Sequence, residues 1–181
     1  MLNYFLKITS SLIIMGIAAC AGPSPVRESQ YVPPGKFYAG SIINITAPNS
    51  EGWQLLKYDQ SGLAFGRRGT AHGESFAASV SLFEPPQTDL PEEFESLIVK
   101  GTQSDADTER FQTKSFTHQF ILARGYPCVQ IHNITEDPGA RGGPNKTQTL
   151  IMQSAHLYCR HPIRKNIGFA ITYSHRGKEL H

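Results

Sequence analysis

The chain is short of the features by which a sequence usually declares a function. Its 181 residues include three cysteines and one tryptophan, and 17 basic side chains stand against 15 acidic ones. No Gly-x-Ser-x-Gly elbow, His-Glu-x-x-His helix or Cys-x-x-Cys pair occurs, so the usual signatures of a serine hydrolase, a zinc protease or a dithiol site are missing. The near-balance of charge argues against nucleic acid, because displacing counterions from phosphates needs a clear basic excess. The one concentrated apolar run, Leu12 to Ala19, ends at Gly22 and Pro23. It is too short to cross a bilayer core, which takes roughly 20 apolar residues.

What is present begins with that run. One cation, Lys7, precedes it, no acid does, and small residues follow it, the three zones of a secretory signal. The run closes on Ile17-Ala18-Ala19-Cys20. This tetrapeptide resembles the lipobox of bacterial lipoproteins. The resemblance implies that residues 1–19 are removed and that the Cys20 thiol carries palmitate-type acyl chains. It also implies that the protein stays on a membrane through them. Each buried methylene adds about 0.8 kcal/mol, so two or three chains hold far better than one. Ala21, where an aspartate would signal inner-membrane retention, leans toward the outer membrane and a periplasmic face. An ordinary cleaved signal with an incidental cysteine is the plainer alternative. The remaining 162 residues suffice for one domain with a core.

Residues 20–36 are rich in Gly, Pro, Ser and charge and carry little apolar surface, which reads as an extended tether. At about 3.3 Å per residue it would reach roughly 50 Å from the lipid. Residues 37–181 are expected as one globular domain. Ile43, Ile45 and Ala47 alternate with polar residues, as do Trp53 and Leu55, and Leu63 to Arg67 reads as a further strand. Phe76, Ala78, Val80 and Leu82 share one face of a half-buried strand whose other face carries Ser79 and Ser81. After Pro85 and Pro86 the period changes. Asp89 with Glu92 makes a capping box around Pro91, and Leu90, Phe94, Leu97 and Ile98 form one helical stripe toward Gly101.

Strand character then returns. Phe116 to Ala123 and Tyr126 to Thr135 flank Arg124-Gly125, a hairpin signal. Glu136 to Lys146 is expected as a glycine-rich loop, followed by a strand from Thr147 to Cys159 and another through Ile167, Phe169, Ile171 and Tyr173. The fold class expected is α+β, an antiparallel meander with one main helix packed against it. This order of elements over about residues 40–176 resembles the PsbP-like α+β sandwiches. The resemblance implies an accessory or binding role and a closing helix after the last strand, where this chain has only a short segment to His181.

Cys128 and Cys159 fall on neighbouring predicted strands. If their numbers face each other, Gln130 meets Leu157 and His132 meets Ala155, and the two thiols come within disulfide range. A bridge over about 30 residues would stabilise the domain by about 3 kcal/mol. Two buried free thiols are one alternative. A metal site using His132, His156, Cys159 and His161 is another, weakened because His156 points to the opposite face from Cys159. Arg160, Arg164, Lys165, Arg176 and Lys178 make the last quarter basic. They read either as a solvated face or as a patch for an anionic ligand or acidic partner. No cofactor is expected. The reading is a membrane-anchored envelope lipoprotein whose domain binds a small ligand or an envelope protein and catalyses nothing. The alternatives are a hydrolase or metal-dependent enzyme built on the histidines near Cys159, and a structural assembly subunit.

Overall fold

A computed structural model of the chain describes residues 30–40, 42–143 and 146–181. Cys20, the signal and the first part of the expected tether lie outside the described residues. No described helix is long and apolar enough to cross a membrane.

Ten strands and one helix are seen among the described residues. Two short strands, β1 (Gln30–Tyr31) and β2 (Phe37–Tyr38), lead to β3 (Ile45–Thr46). A first meander follows: β4 (Gln54–Asp59), β5 (Gly62–Arg68) and β6 (Ser75–Phe83). Helix α1 (Pro91–Ser104) then carries the chain across to a second meander. Its strands are β7 (Gln112–Ala123), β8 (Tyr126–Gly143), β9 (Lys146–Arg160) and β10 (Gly168–Gly177). All eight long-sheet strands are antiparallel, in the order β1-β4-β5-β6-β10-β9-β8-β7, and β2 pairs with β3 separately. The last strand therefore returns to β6 and joins the two meanders.

The expected α+β sandwich is corrected to a predominantly β fold. One 14-residue helix stands against a sheet whose longest strands, β8 and β9, span 18 and 15 residues. The difference comes largely from Glu136 to Lys146, expected as a loop. Glu136 pairs with Ile151, Asp137 with Leu150 and Ala140 with Gln148, so the hairpin runs on through two register shifts at its glycines and proline. Bulges of this kind admit residues that a regular ladder would refuse. The stretch expected as tether is also partly built in. Gln30 and Tyr31 pair with Leu55 and Gln54, and Val32 is buried with its N–H donating to the Trp53 carbonyl at 2.9 Å. A single valine suffices because it fills a place beside Trp53 and Phe65 in the first core.

The two-residue turn Arg124-Gly125 has φ of 54° and 82°. That is the left-handed geometry whose twist matches the strands of a tight hairpin. The β8–β9 register sets Cys128 opposite Cys159, Gln130 opposite Leu157 and His132 opposite Ala155. The two cysteines are joined, fully buried with Phe169 in a core on one sheet face. Phe94 and Ile98 of α1 cover Val129 and Ile131 on the other face.

The cross-link bridges a separation of 31 residues. Replacing both cysteines by alanine is expected to lower unfolding free energy by about 3–4 kcal/mol, chiefly through the looser unfolded chain. Urea denaturation of the oxidised protein beside the double variant measures it. A difference below about 1 kcal/mol would contradict this account of the bridge.

Candidate functional site

The helix covers only the β7–β8 side of its sheet face, and beside it lies a groove of about 690 Å³. Strand register builds its floor. Asn133 on β8, Ser154 on β9 and Ser174 on β10 form one row across the sheet. His156 and Thr172 lie in the next row, and Thr135 and Met152 in the row beyond Asn133 and Ser154. Alternation puts all of these on the helix side of the sheet. The walls are apolar: Leu97 and Ile98 from α1, Phe111 from the α1–β7 connection, and Phe83 and Tyr158 from the sheet. Glu84, Asp105 and Asp107 stand at the rim, and the described lining includes no lysine or arginine.

Hydroxyls hold His156 in place. Its Nδ1 is 3.0 Å from Thr172 Oγ1 and its Nε2 is 2.9 Å from Ser154 Oγ. Burial, with a smaller contribution from His132, pushes its pKa below the ordinary 6.5, so the ring is neutral at pH 7. Two buried floor atoms, Asn133 Oδ1 and Thr135 Oγ1, have no hydrogen-bond partner in the protein. Such groups are uncommon in folded proteins, and at a concave surface they are where a ligand gains most. Gly101 on α1 lines the same groove, and a β-carbon placed there would meet nothing within 4 Å. A helical glycine costs about 1 kcal/mol against alanine. Here packing does not demand it, and the position borders open space beside the groove.

The connection that supplies Asp107 and Phe111 is fastened to the sheet through Asp137. This carboxylate is fully buried, and Arg110 holds it at 2.8 Å and Arg176 at 2.6 Å. The hydrogen bond from Arg110 keeps its pKa below the usual carboxylate range, with Arg176 adding to the effect against the opposing cost of burial.

The basic residues of the last quarter do not form one patch. Arg160 is buried, donates to the Thr88 carbonyl and to Asp89 Oδ1 at 3.2 Å, and lies over the Phe94 ring. Lys165 takes the same Asp89 at 2.9 Å, and Arg176 belongs to Asp137. Arg164 and Lys178 are exposed. Of the two readings of these five, the solvated face is the one this placement favours: Arg160, Lys165 and Arg176 are engaged in ion pairs with Asp89 and Asp137. Asp89 is in turn withdrawn from the expected capping box. The N-cap of α1 is Leu90 without a side-chain bond, and Thr88 Oγ1 accepts from the Leu90 N–H.

The residues of the metal alternative are also kept apart. His132 contacts Gln130 on the face opposite His156, the His161 ring accepts from the Ile163 and Arg164 N–H groups, and Cys159 is in the disulfide. Among the described residues no three His, Cys, Asp or Glu side chains are grouped to hold a metal. The hydroxyl floor was not read from the sequence. Alternating Ser and Thr signal a solvated strand face, and only the position of α1 turns that face into a groove.

No known protein family matches the chain. No curated protein matches it. Among solved structures, a mutant of the protein Mog1 aligns with TM-score 0.43 and 13% identity over 82% of this chain and 77% of its own. The Saccharomyces cerevisiae Ran-binding protein Mog1p aligns with TM-score 0.42 and 13% identity over the same shares.

Two outcomes test this geometry. The depressed pKa of His156 means that the unfolded chain takes up a proton first as pH falls below about 6.5. Stability should therefore fall as pH drops below about 6.5, and His156→Gln should flatten that slope. Melting temperatures across the range measure it, and parallel slopes would refute it. Asp137→Asn should cost about 3 kcal/mol, the low end for a broken buried pair because both arginines are partly exposed. It should also speed amide exchange through residues 105–111, whereas Lys114→Ala should do neither.

Proposed function

We propose that this protein is a bacterial envelope lipoprotein, anchored by acyl chains on Cys20, whose domain binds a small ligand in the groove beside α1 and does not transform it. The observation that carries the reading is the pair of unpartnered buried atoms, Asn133 Oδ1 and Thr135 Oγ1, on the floor of a groove that Gly101 borders. Its volume falls within the roughly 300–1,000 Å³ common for small-molecule sites. The anchor rests on Ile17-Ala18-Ala19-Cys20 and the short apolar run before it.

Binding is favoured over acyl transfer by the way the groove is made. Ser154, His156 and Thr172 form a hydrogen-bonded chain that resembles a nucleophile with its base. The imidazole, however, is oriented by a neutral hydroxyl, which does little for the imidazolium that base catalysis creates. Ser154 also lies within a strand paired on both sides, at Asn133 and Ser174. The ladder uses the N–H groups that an oxyanion would need. The same arrangement suits a rigid, prearranged binding surface.

Intact mass of the full chain recovered from bacterial membranes should show loss of residues 1–19 with added acyl mass, abolished in Cys20→Ala. A freely soluble product with an unmodified amino terminus would sink the anchor. Native mass spectrometry of the detergent-solubilised protein should show a small-molecule adduct that Gly101→Leu removes while melting temperature holds or rises. An adduct of protein mass would instead support an envelope protein partner, and identical spectra for wild type and Gly101→Leu would count against the groove.

A further inference from the structure

The chemistry of the groove also selects among ligands, and this step rests on the binding reading above. We infer that the ligand is a neutral saccharide, a ring with hydroxyl edges and an apolar C–H face. Charge excludes the anions first. Glu84, Asp105 and Asp107 border the groove and the described lining holds no lysine or arginine, so a phosphate or carboxylate would meet repulsion without a counter-charge. Cations fit the rim but not the floor. There the histidine is neutral and its neighbours are hydroxyls and an amide, so a desolvated ammonium would have no buried charge to pair with.

The floor is instead a grid of groups that donate and accept alike. Asn133, Ser154 and Ser174 line up across three strands, spaced about 4.8 Å apart, and rows two residues apart lie roughly 6.8 Å from each other. A hydroxyl on the ligand can serve as both donor and acceptor to such neighbours. Asn133 Oδ1 needs a donor, and Thr135 Oγ1 takes either role. A wholly apolar ligand would leave these atoms unpaired. Above this polar surface the walls are apolar, with Phe111 and Leu97 from the helix side and Tyr158 from the sheet. A ligand is therefore required to be polar along its edge and apolar across its face. Saccharide rings meet both conditions without carrying charge.

The test is saturation-transfer NMR on the detergent-solubilised full chain with four separate probes: the disaccharides chitobiose and maltose, spermidine, and citrate. At least one disaccharide should give transfer that falls fivefold or more in Gly101→Leu and in Thr135→Val. It should persist in Gln119→Ala, on the opposite sheet face. Each variant should keep a cooperative melt, and Gly101→Leu and Thr135→Val check one another should either fail to fold. Transfer to spermidine or citrate in place of the sugars, abolished by Gly101→Leu, overturns the saccharide while leaving a binding groove. Sugar transfer indifferent to both variants puts the site elsewhere and overturns both readings. Silence from all four probes overturns the saccharide, and the groove is then judged by its native adduct.

Discussion

The antiparallel seam between β6 and β10 is the contact on which the architecture depends. Every other long-sheet pairing but the short β1–β4 contact joins neighbours in the chain, so each meander needs only local turns. The seam alone brings Ser75 opposite Arg176 and Phe83 opposite Gly168, after the helix and three further strands have intervened. Such closure carries an entropic cost that local hairpins avoid, and packing has to offset it. At one end Gly168 makes room for the Phe83 ring, since a β-carbon there would lie 2.6 Å from it. That ring packs with Tyr158 in the cluster that receives Phe94 of α1. At the other end His175 meets Glu74 at 3.2 Å and stacks beside Phe76. With the seam in place, β10 contributes Thr172 and Ser174 to the groove and β6 contributes Phe83; without it the floor and the wall belong to separate sheets.

Much of this was legible in the residues. Alternation located the main strands, Arg124-Gly125 located a turn that is tight for the reason given by its φ angles, and counting from the cysteines gave the register of β8 against β9. Where reading failed, the decisive partner was distant in sequence. Glu136 to Lys146 looks like a loop because it holds Pro138 and several glycines, yet Asp137 is buried there by arginines from the α1–β7 connection and from β10. Val32 looked like a stray valine in a polar stretch, and only Trp53 makes it a core residue. Asp89 has every local qualification for a cap, but Arg160 and Lys165 outbid the helix for it. Local propensity is a weak guide when a buried cation competes for the same carboxylate.

The same logic bears on the basic last quarter. A run of cations in sequence becomes a surface only if the fold leaves their partners elsewhere. Here alternation sends Arg160 and Arg176 toward the helix side of the sheet, where Asp89 and Asp137 already stand. Charge that looked available for a ligand is instead used to fasten the two ends of α1's surroundings, its entry through Asp89 and its exit loop through Arg110. The groove between those fastenings is consequently left without a lysine or arginine among its described lining. That lack of cations follows from how the helix is held.

Several features that weaken a fold converge on that one place. A glycine sits in the last turn of the only described helix, two buried polar atoms go unpaired, and a histidine is kept neutral by burial. A carboxylate buried nearby depends on two partly exposed arginines. Each of these departs from what stability alone would choose; unpaired buried atoms also occur at Arg67, Gln148, His175 and Arg176, but without a glycine and a neutral histidine beside them at one groove. What is particular to this concavity is the combination: a glycine, a neutral histidine and two unpaired acceptors over a sheet stiffened by its strands and a cross-link, which is what the proposed binding role would draw on.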